Sequence, residues 1–307
     1  MATTFITHDD CGLHNMGPEH PESPIRLLAI RKVLERTGLI QHMECMESVH
    51  VTRDQIALAH ADLHQKRLEM KLPSEGVFYA DEDTALCPDS LHAASLAAGS
   101  AILATNRVLA GKTDNAFCAV RPPGHHAEHN AAMGFCFFNN VAIGAMQALE
   151  HPSVNRVAVV DFDVHHCNGT VDIFKDRPEV LVCSTFQHPY YPERYTDISR
   201  QNIVNCPMPA HSDSKFFRNM VESNWLPALQ NHKPDIIFIS AGFDAHHEDP
   251  MADINLNEED YRWVTKLLMD VARTYSGGKI VSVLEGGYNP VALAFSVEAH
   301  LETLVGY

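Results

Sequence analysis

Short runs of consecutive apolar residues recur along the chain, at 117–120, 157–160, 180–183, 236–240 and 280–284. Unbroken runs, unlike alternating ones, suit strands buried on both faces of a parallel sheet. Segments of helical length lie between them. Ser23 and Pro24 give an N-cap and first-turn signal for a helix to about Arg36. Residues 88–110 are rich in Ala and Leu and stop at Gly111, a C-cap signal. Further helices are expected over 139–150, over 214–231 with a break at Pro227, and over 257–275, and Asn289-Pro290 opens the last. Residues 187–213 are polar, aromatic-rich and without a period, and read as a surface loop. Strands alternating with helices predict an α/β fold with a mainly parallel central sheet flanked by helices. No repeat or flexible linker divides it, so one domain is expected over residues 1–307.

In such a sheet, ligands bind beyond the carboxyl ends of the strands. The first run is followed by Arg121-Pro-Pro-Gly-His125-His126 and the second by Asp161-Phe-Asp163-Val-His165-His166. The fourth leads into Ala-Gly-Phe-Asp244 and the fifth into Glu285-Gly-Gly-Tyr288. Polar and titratable residues are thus delivered to one rim by separate strands.

Composition narrows the classes. A net charge of −16, from 23 basic and 39 acidic residues, argues against a nucleic-acid or anionic-membrane binder. Neither a signal peptide nor a membrane-spanning run is evident. The 8 Cys are scattered without a CxxC pair. That usage suits reduced thiols, and a cytoplasmic location is expected. Oligomeric state is not legible. The unusual figure is 20 His, several of them in the strand-end segments above.

Asp163 and His165 are two residues apart, so in an extended segment their side chains point the same way and can share one ion, with Asp244 completing the set. Two carboxylates and an imidazole nearly neutralise a divalent cation and leave a coordination position open, as in catalytic zinc sites. Singly, each residue has an ordinary reading as a cap, surface residue or turn former; their joint placement argues for the metal. The stiff Pro-Pro-Gly turn holds His125 and His126, which suit proton transfer or, alternatively, metal ligation. Asp161 and Asn168 are candidate orienters of the two imidazoles. Tyr288, after two glycines, can donate to a developing oxyanion.

The motifs HPESPIR (20–26), RPPGHH (121–126), GFCFFNN (134–140), DFDVHHCNGT (161–170), SAGFD (240–244) and LEGGYN (284–289) resemble the histone deacetylase family, in a form nearer its class II branch and its bacterial relatives, acetylpolyamine amidohydrolases among them. The resemblance implies an arginase/deacetylase-type fold and a zinc-dependent amide hydrolase acting on acylated lysine in proteins or peptides, or on acetylpolyamines. It implies Asp163, His165 and Asp244 as zinc ligands, His126 as general base and acid, His125 with Asp161 as its electrostatic partner, and Tyr288 as the carbonyl-polarising group. Gly134 and Phe135 carry one wall of the substrate tunnel and Tyr191 the other. Asp83 is the implied rim carboxylate that grips substrate, and Arg26 the arginine lining a cavity beneath the metal. A potassium ion is implied at the backbone oxygens of Asp161, Asp163 and His165, near Ser184.

The chain departs from the pattern twice. Cys167 stands where the family usually has Gly, at a steric cost if φ there is positive, and a thiol so close to the metal is open to oxidation. Residues 184–188, Ser-Thr-Phe-Gln-His, replace a more usual Ser-Leu-His-Gln. A binuclear manganese ureohydrolase of related fold needs Asp at the Cys167 position, which argues against that alternative. A non-catalytic acyl-group reader is expected to have lost the Tyr or a tandem His, and this chain has kept both.

Overall fold

In a computed structural model, residues 2–306 are described. They form a central sheet of eight strands with a small hairpin beside it. The strands in chain order are β1 (Thr3–Thr7), β2 (Glu44–Glu47), β3 (Phe78–Tyr79), β4 (Ala85–Leu86), β5 (Asn115–Cys118), β6 (Val157–Asp161), β7 (Val180–Gln187), β8 (Ile203–Met208), β9 (Ile236–Ala241) and β10 (Ile280–Leu284). The large sheet runs β2-β1-β5-β10-β9-β6-β7-β8, and every pairing in it is parallel. The chain crosses from β5 to β6 and leaves between them the places that β9 and β10 later fill.

All five apolar runs are strands, and they occupy the centre. Two opposed cores explain why those runs are unbroken. Val157, Val159, Phe238 and Val281 face one core, while Ala158, Val160, Ile237, Ile239 and Ile280 face the other. Helices α1 (Ser90–Leu109) and α2 (Asn140–Leu149) cover the first face, and α3 (Glu258–Tyr275) and α4 (Pro290–Val305) the second. The expected helix after Ser23 spans Ile25–Thr37 on that second face, with Pro24 itself as the N-cap. Capping holds elsewhere: Asn139, Asn257 and Asn289 each accept a backbone N–H with the side chain at a helix start. Near Pro227 the expected break is a π-helical turn, Val221–Trp225, which carries Ser214–Met220 into Leu226–His232. No helix of the described residues is long and apolar enough to cross a membrane.

Residues 187–213 are not all loop: β8 lies within them and forms an edge of the sheet. Pro207 and a partly exposed face hide it, because an edge strand has one unpaired side and needs neither a full ladder nor full burial. The other edge, β2, is largely exposed for the same reason.

Candidate active site

The loops after β5, β6, β9 and β10 are the loops of adjacent central strands, and they meet at the carboxyl end of the sheet. Asp163, His165 and Asp244 are buried there with one ligand atom of each within 4.8 Å of the others, the one such group among the described residues. His165 Nδ1 lies 3.0 Å from Asp163 Oδ1 and 3.2 Å from Asp244 Oδ2. The remaining carboxylate oxygens are held by the backbone: Gly286 N donates to Asp163 Oδ2 at 2.8 Å and Val164 N to Asp244 Oδ1 at 2.8 Å. Apart from that 3.2 Å approach of His165, the buried Asp244 Oδ2 has no hydrogen-bond partner.

Electrostatics prepare this corner for a cation. Burial works against the Asp163 charge, yet His125 and His165 hold its carboxyl below the usual range. Burial and the Asp163 charge together push Asp244 up to about 7. Burial alone would keep His165 neutral, but both carboxylates raise it to about 10. A donor set of two carboxylates and one imidazole, with an orphaned buried oxygen, fits a divalent ion. Space is tight around it: a Cβ on Gly242 would meet Asp163 Oδ2 at 2.0 Å, and one on Gly286 would meet Asp244 Oδ2 at 2.1 Å.

The tandem histidines are differently placed. His125 Nδ1 lies 3.0 Å from Asp161 Oδ2 and its Nε2 lies 3.8 Å from Asp163 Oδ1. Burial opposes its charge, but Asp163 and Asp161 raise it to about 10. His126 Nδ1 is 2.7 Å from Asn168 Oδ1. Burial, then the charges of His125 and His165, push His126 well below its ordinary range. Neighbouring imidazoles with opposed proton affinities are a hallmark of acid–base sites.

Above them lies a cavity of about 260 Å³ lined by Asp83, His126, Gly134, Phe135, His165, Tyr190, Tyr191, Met251 and Tyr288. Gly134 and Phe135 form a tight turn closed by reciprocal Met133–Cys136 backbone bonds, with φ of 56° and 67°. Such a turn asks for positive φ at both central positions, which is costly for Phe. It is clamped from the turn between β3 and β4: Asp83 Oδ1 accepts from Gly134 N at 3.1 Å, and Thr84 Oγ1 from Phe135 N at 3.0 Å. Gly134 is obligatory, since a Cβ would fall 2.3 Å from His126 Cδ2. The Tyr191 ring meets His126 edge-on at 5.3 Å, and Phe135 meets Tyr288 at 6.0 Å. Arg26 is not among the lining residues. It is buried beneath the Tyr288 ring, 5.1 Å from its centroid, and donates to the carbonyls of Gly287 and Glu285.

The strand-end pattern had not singled out several residues that shape the site. Glu285 accepts from the N–H groups of Gly124 and His125, at 2.6 and 3.1 Å, and so fixes the tandem-His loop. Asp249 accepts from Tyr288 N at 2.6 Å. Glu22 grips Arg121 through both carboxylate oxygens at 2.5 and 2.6 Å and Arg26 at 3.1 Å, all fully buried. For Glu285 the available signal was a lone carboxylate between an apolar run and two glycines; Glu22 lies within the HPESPIR motif, and Asp249, in the polar stretch 246–250, gave no comparable signal. Cys167 has φ −78°, so the feared steric cost is absent. Its thiol is buried, and burial pushes it well above the usual range, leaving little thiolate for oxidation. All eight Cys are free.

Comparison with known proteins places this geometry. A family model described as the histone deacetylase domain matches residues 20–304. The chain is 34% identical over 328 residues to a histone deacetylase-like amidohydrolase of Pseudomonas aeruginosa, covering 99% of this chain and 86% of that protein. It is 32% identical over 328 residues to the polyamine deacetylase HDAC10 of Mus musculus, where 100% of this chain aligns with 48% of that protein. A crystal structure of the HDA15 HD domain superposes with a TM-score of 0.93 at 31% identity, covering 99% of this chain and 88% of that one. Fold and relatives together define a hydrolase on a parallel α/β sheet. The chain belongs to the histone deacetylase family.

Burial alone would raise the Glu22 carboxyl, but Arg121 and Arg26 hold it at about 2. Glu22→Ala leaves two buried guanidinium groups uncompensated, and urea unfolding should show a loss of about 3–5 kcal/mol. In the native protein the Glu22 contribution should be complete above pH 4.5, the ordinary carboxyl value, and be lost as pH falls toward about 2.

Proposed function

We propose that the protein hydrolyses the amide of N-acylated primary amines, removing acetyl groups from lysine side chains of proteins or peptides. The observation that carries this reading is the buried Asp163, His165 and Asp244 group lying beside His126 at the foot of a narrow aromatic cavity. The three residues would hold one zinc ion, which when bound supplies Lewis acidity toward a carbonyl oxygen and lowers the pKa of water. His126, neutral and lining the cavity, takes the proton of the attacking water and returns it to the departing nitrogen. His125, kept cationic by Asp161 and Asp163, offsets the charge that develops beside it. Tyr288, also lining the cavity, donates its O–H to the developing oxyanion.

Phe135 and Tyr191 flank a space suited to a linear, uncharged acyl-amine arm, and Asp83 lies at the same cavity to meet the substrate beyond that arm. Acetylpolyamine is the second reading, favoured by the relative named as a polyamine deacetylase and by the net charge of −16. We assign potassium to the carbonyls of Asp161, Asp163 and His165, where Ser184 of β7 pairs with Asp161 and offers a buried hydroxyl oxygen.

A chelator should abolish turnover of a fluorogenic acetyl-lysine peptide, and stoichiometric zinc should restore it; undiminished cleavage after complete demetallation sinks the reading. Tyr288→Phe should keep its metal and lose about 10²–10³ in kcat, and an unchanged kcat removes Tyr288 from the reaction. His126→Ala should be nearly inactive at every pH tested, whereas activity near that of the unaltered protein moves the base elsewhere. The ratio of kcat/KM for acetyl-lysine peptides against acetylpolyamines decides between the two substrates.

A further inference from the structure

An asparagine is an ambiguous orienter of an imidazole. Its oxygen can accept from Nδ1–H, or its amide can turn and donate to a bare Nδ1, and the two choices leave the ring's lone pair on opposite nitrogens. Asn168 Oδ1 lies 2.7 Å from His126 Nδ1. What decides its orientation lies on the far side. Asn168 Nδ2 is 2.8 Å from Glu128 Oε1, 3.2 Å from Met133 Sδ and 3.4 Å from the His126 carbonyl oxygen, and every one of these is an acceptor. Arg194, on the loop that carries Tyr190 and Tyr191, lies 3.2 Å from the same Glu128 oxygen. The guanidinium charge beside it favours the carboxylate, and a carboxylate oxygen can only accept from Asn168. Glu128 is buried, and Arg194 is half exposed.

We propose that Glu128 is a positioning residue for the reaction. By accepting from Asn168 Nδ2 it locks the amide oxygen onto His126 Nδ1, keeps the ring proton there, and leaves Nε2 as the lone pair available at the cavity. This rests on the reading of His126 as the base. Polarity of the hydrogen bonds does the work, so a neutral acceptor held by Arg194 suffices.

Glu128→Met and Glu128→Gln separate the possibilities, with thermal unfolding to verify that both fold. The Met variant should lose about 10- to 100-fold in kcat with KM little changed, while the Gln variant stays within about threefold of the unaltered enzyme. Ring 15N shifts of His126 in selectively labelled protein should show a protonated Nδ1 and bare Nε2 in the unaltered and Gln forms, and a mixture in the Met form. An Nε2-protonated ring in the unaltered protein overturns the proposal, whatever the variants do. So does an unchanged kcat in the Met variant, or an equal loss in both variants. A protein that turns over no acyl amine refutes the proposed function instead, and the ring shifts still test the tautomer.

Discussion

Buried negative charge at the carboxyl end of the sheet organises this molecule. Asp161, Asp163, Asp244 and Glu285 are all fully buried. An uncompensated ion there costs several kcal/mol, so each must find donors or positive charge. Within the loop after β6, Asp163 N serves Asp161 and His165 N serves Asp163, and other donors come from other loops. Gly286 N serves Asp163, Val164 N serves Asp244, and Gly124 and His125 N serve Glu285. Each carboxylate thereby ties its own strand-end loop to a neighbour's, and the need for charge compensation becomes the means of assembling the site. The imidazoles of His125 and His165 complete the compensation, and one carboxylate oxygen is left over for a cation.

A second charged layer supports the first. Arg121 begins the tandem-His loop, yet its guanidinium turns away to Glu22 and to the carbonyls of Cys11 and His14. Arg26 shares Glu22 and holds the carbonyls of Glu285 and Gly287. The loop before the first helix is thus joined to the loops that carry His125 and Tyr288. The cavity wall is made by a comparable device, in which Asp83 and Thr84 hold a strained turn so that Phe135 faces Tyr288. Rigid placement of this kind suits catalysis that depends on orientation.

Legibility followed burial. Strands β5, β6, β7, β9 and β10 lie inside the sheet, and they announce themselves as apolar runs because helices cover both faces; β1, also inside and buried, is the exception, since its Thr-rich segment forms no apolar run. The edge strands β2 and β8 do not, since each has a side open to solvent. The same logic divides the site. Residues set directly at strand ends, such as Asp163, His165 and Asp244, could be read from position and period. Glu285 stands at a strand end as well, but its role could not be read there, because its partners Gly124 and His125 lie 161 and 160 residues away. Nor could that of Glu128, whose Asn168 partner is 40 residues on.

The chain by itself determined which segments become central strands, which polar residues stand at their ends, and that two carboxylates and a histidine could share an ion. Those properties are local: they depend on hydrophobic period and on the alternation of side chains along an extended backbone. Tertiary structure alone decided the order of the strands, the opposite proton affinities of His125 and His126, and the negative φ of Cys167. It also decided the hydrogen-bond polarity running from Glu128 through Asn168 to His126. Those properties belong to groups brought together from distant positions, where burial strengthens each charge and each neighbour fixes the proton of the next.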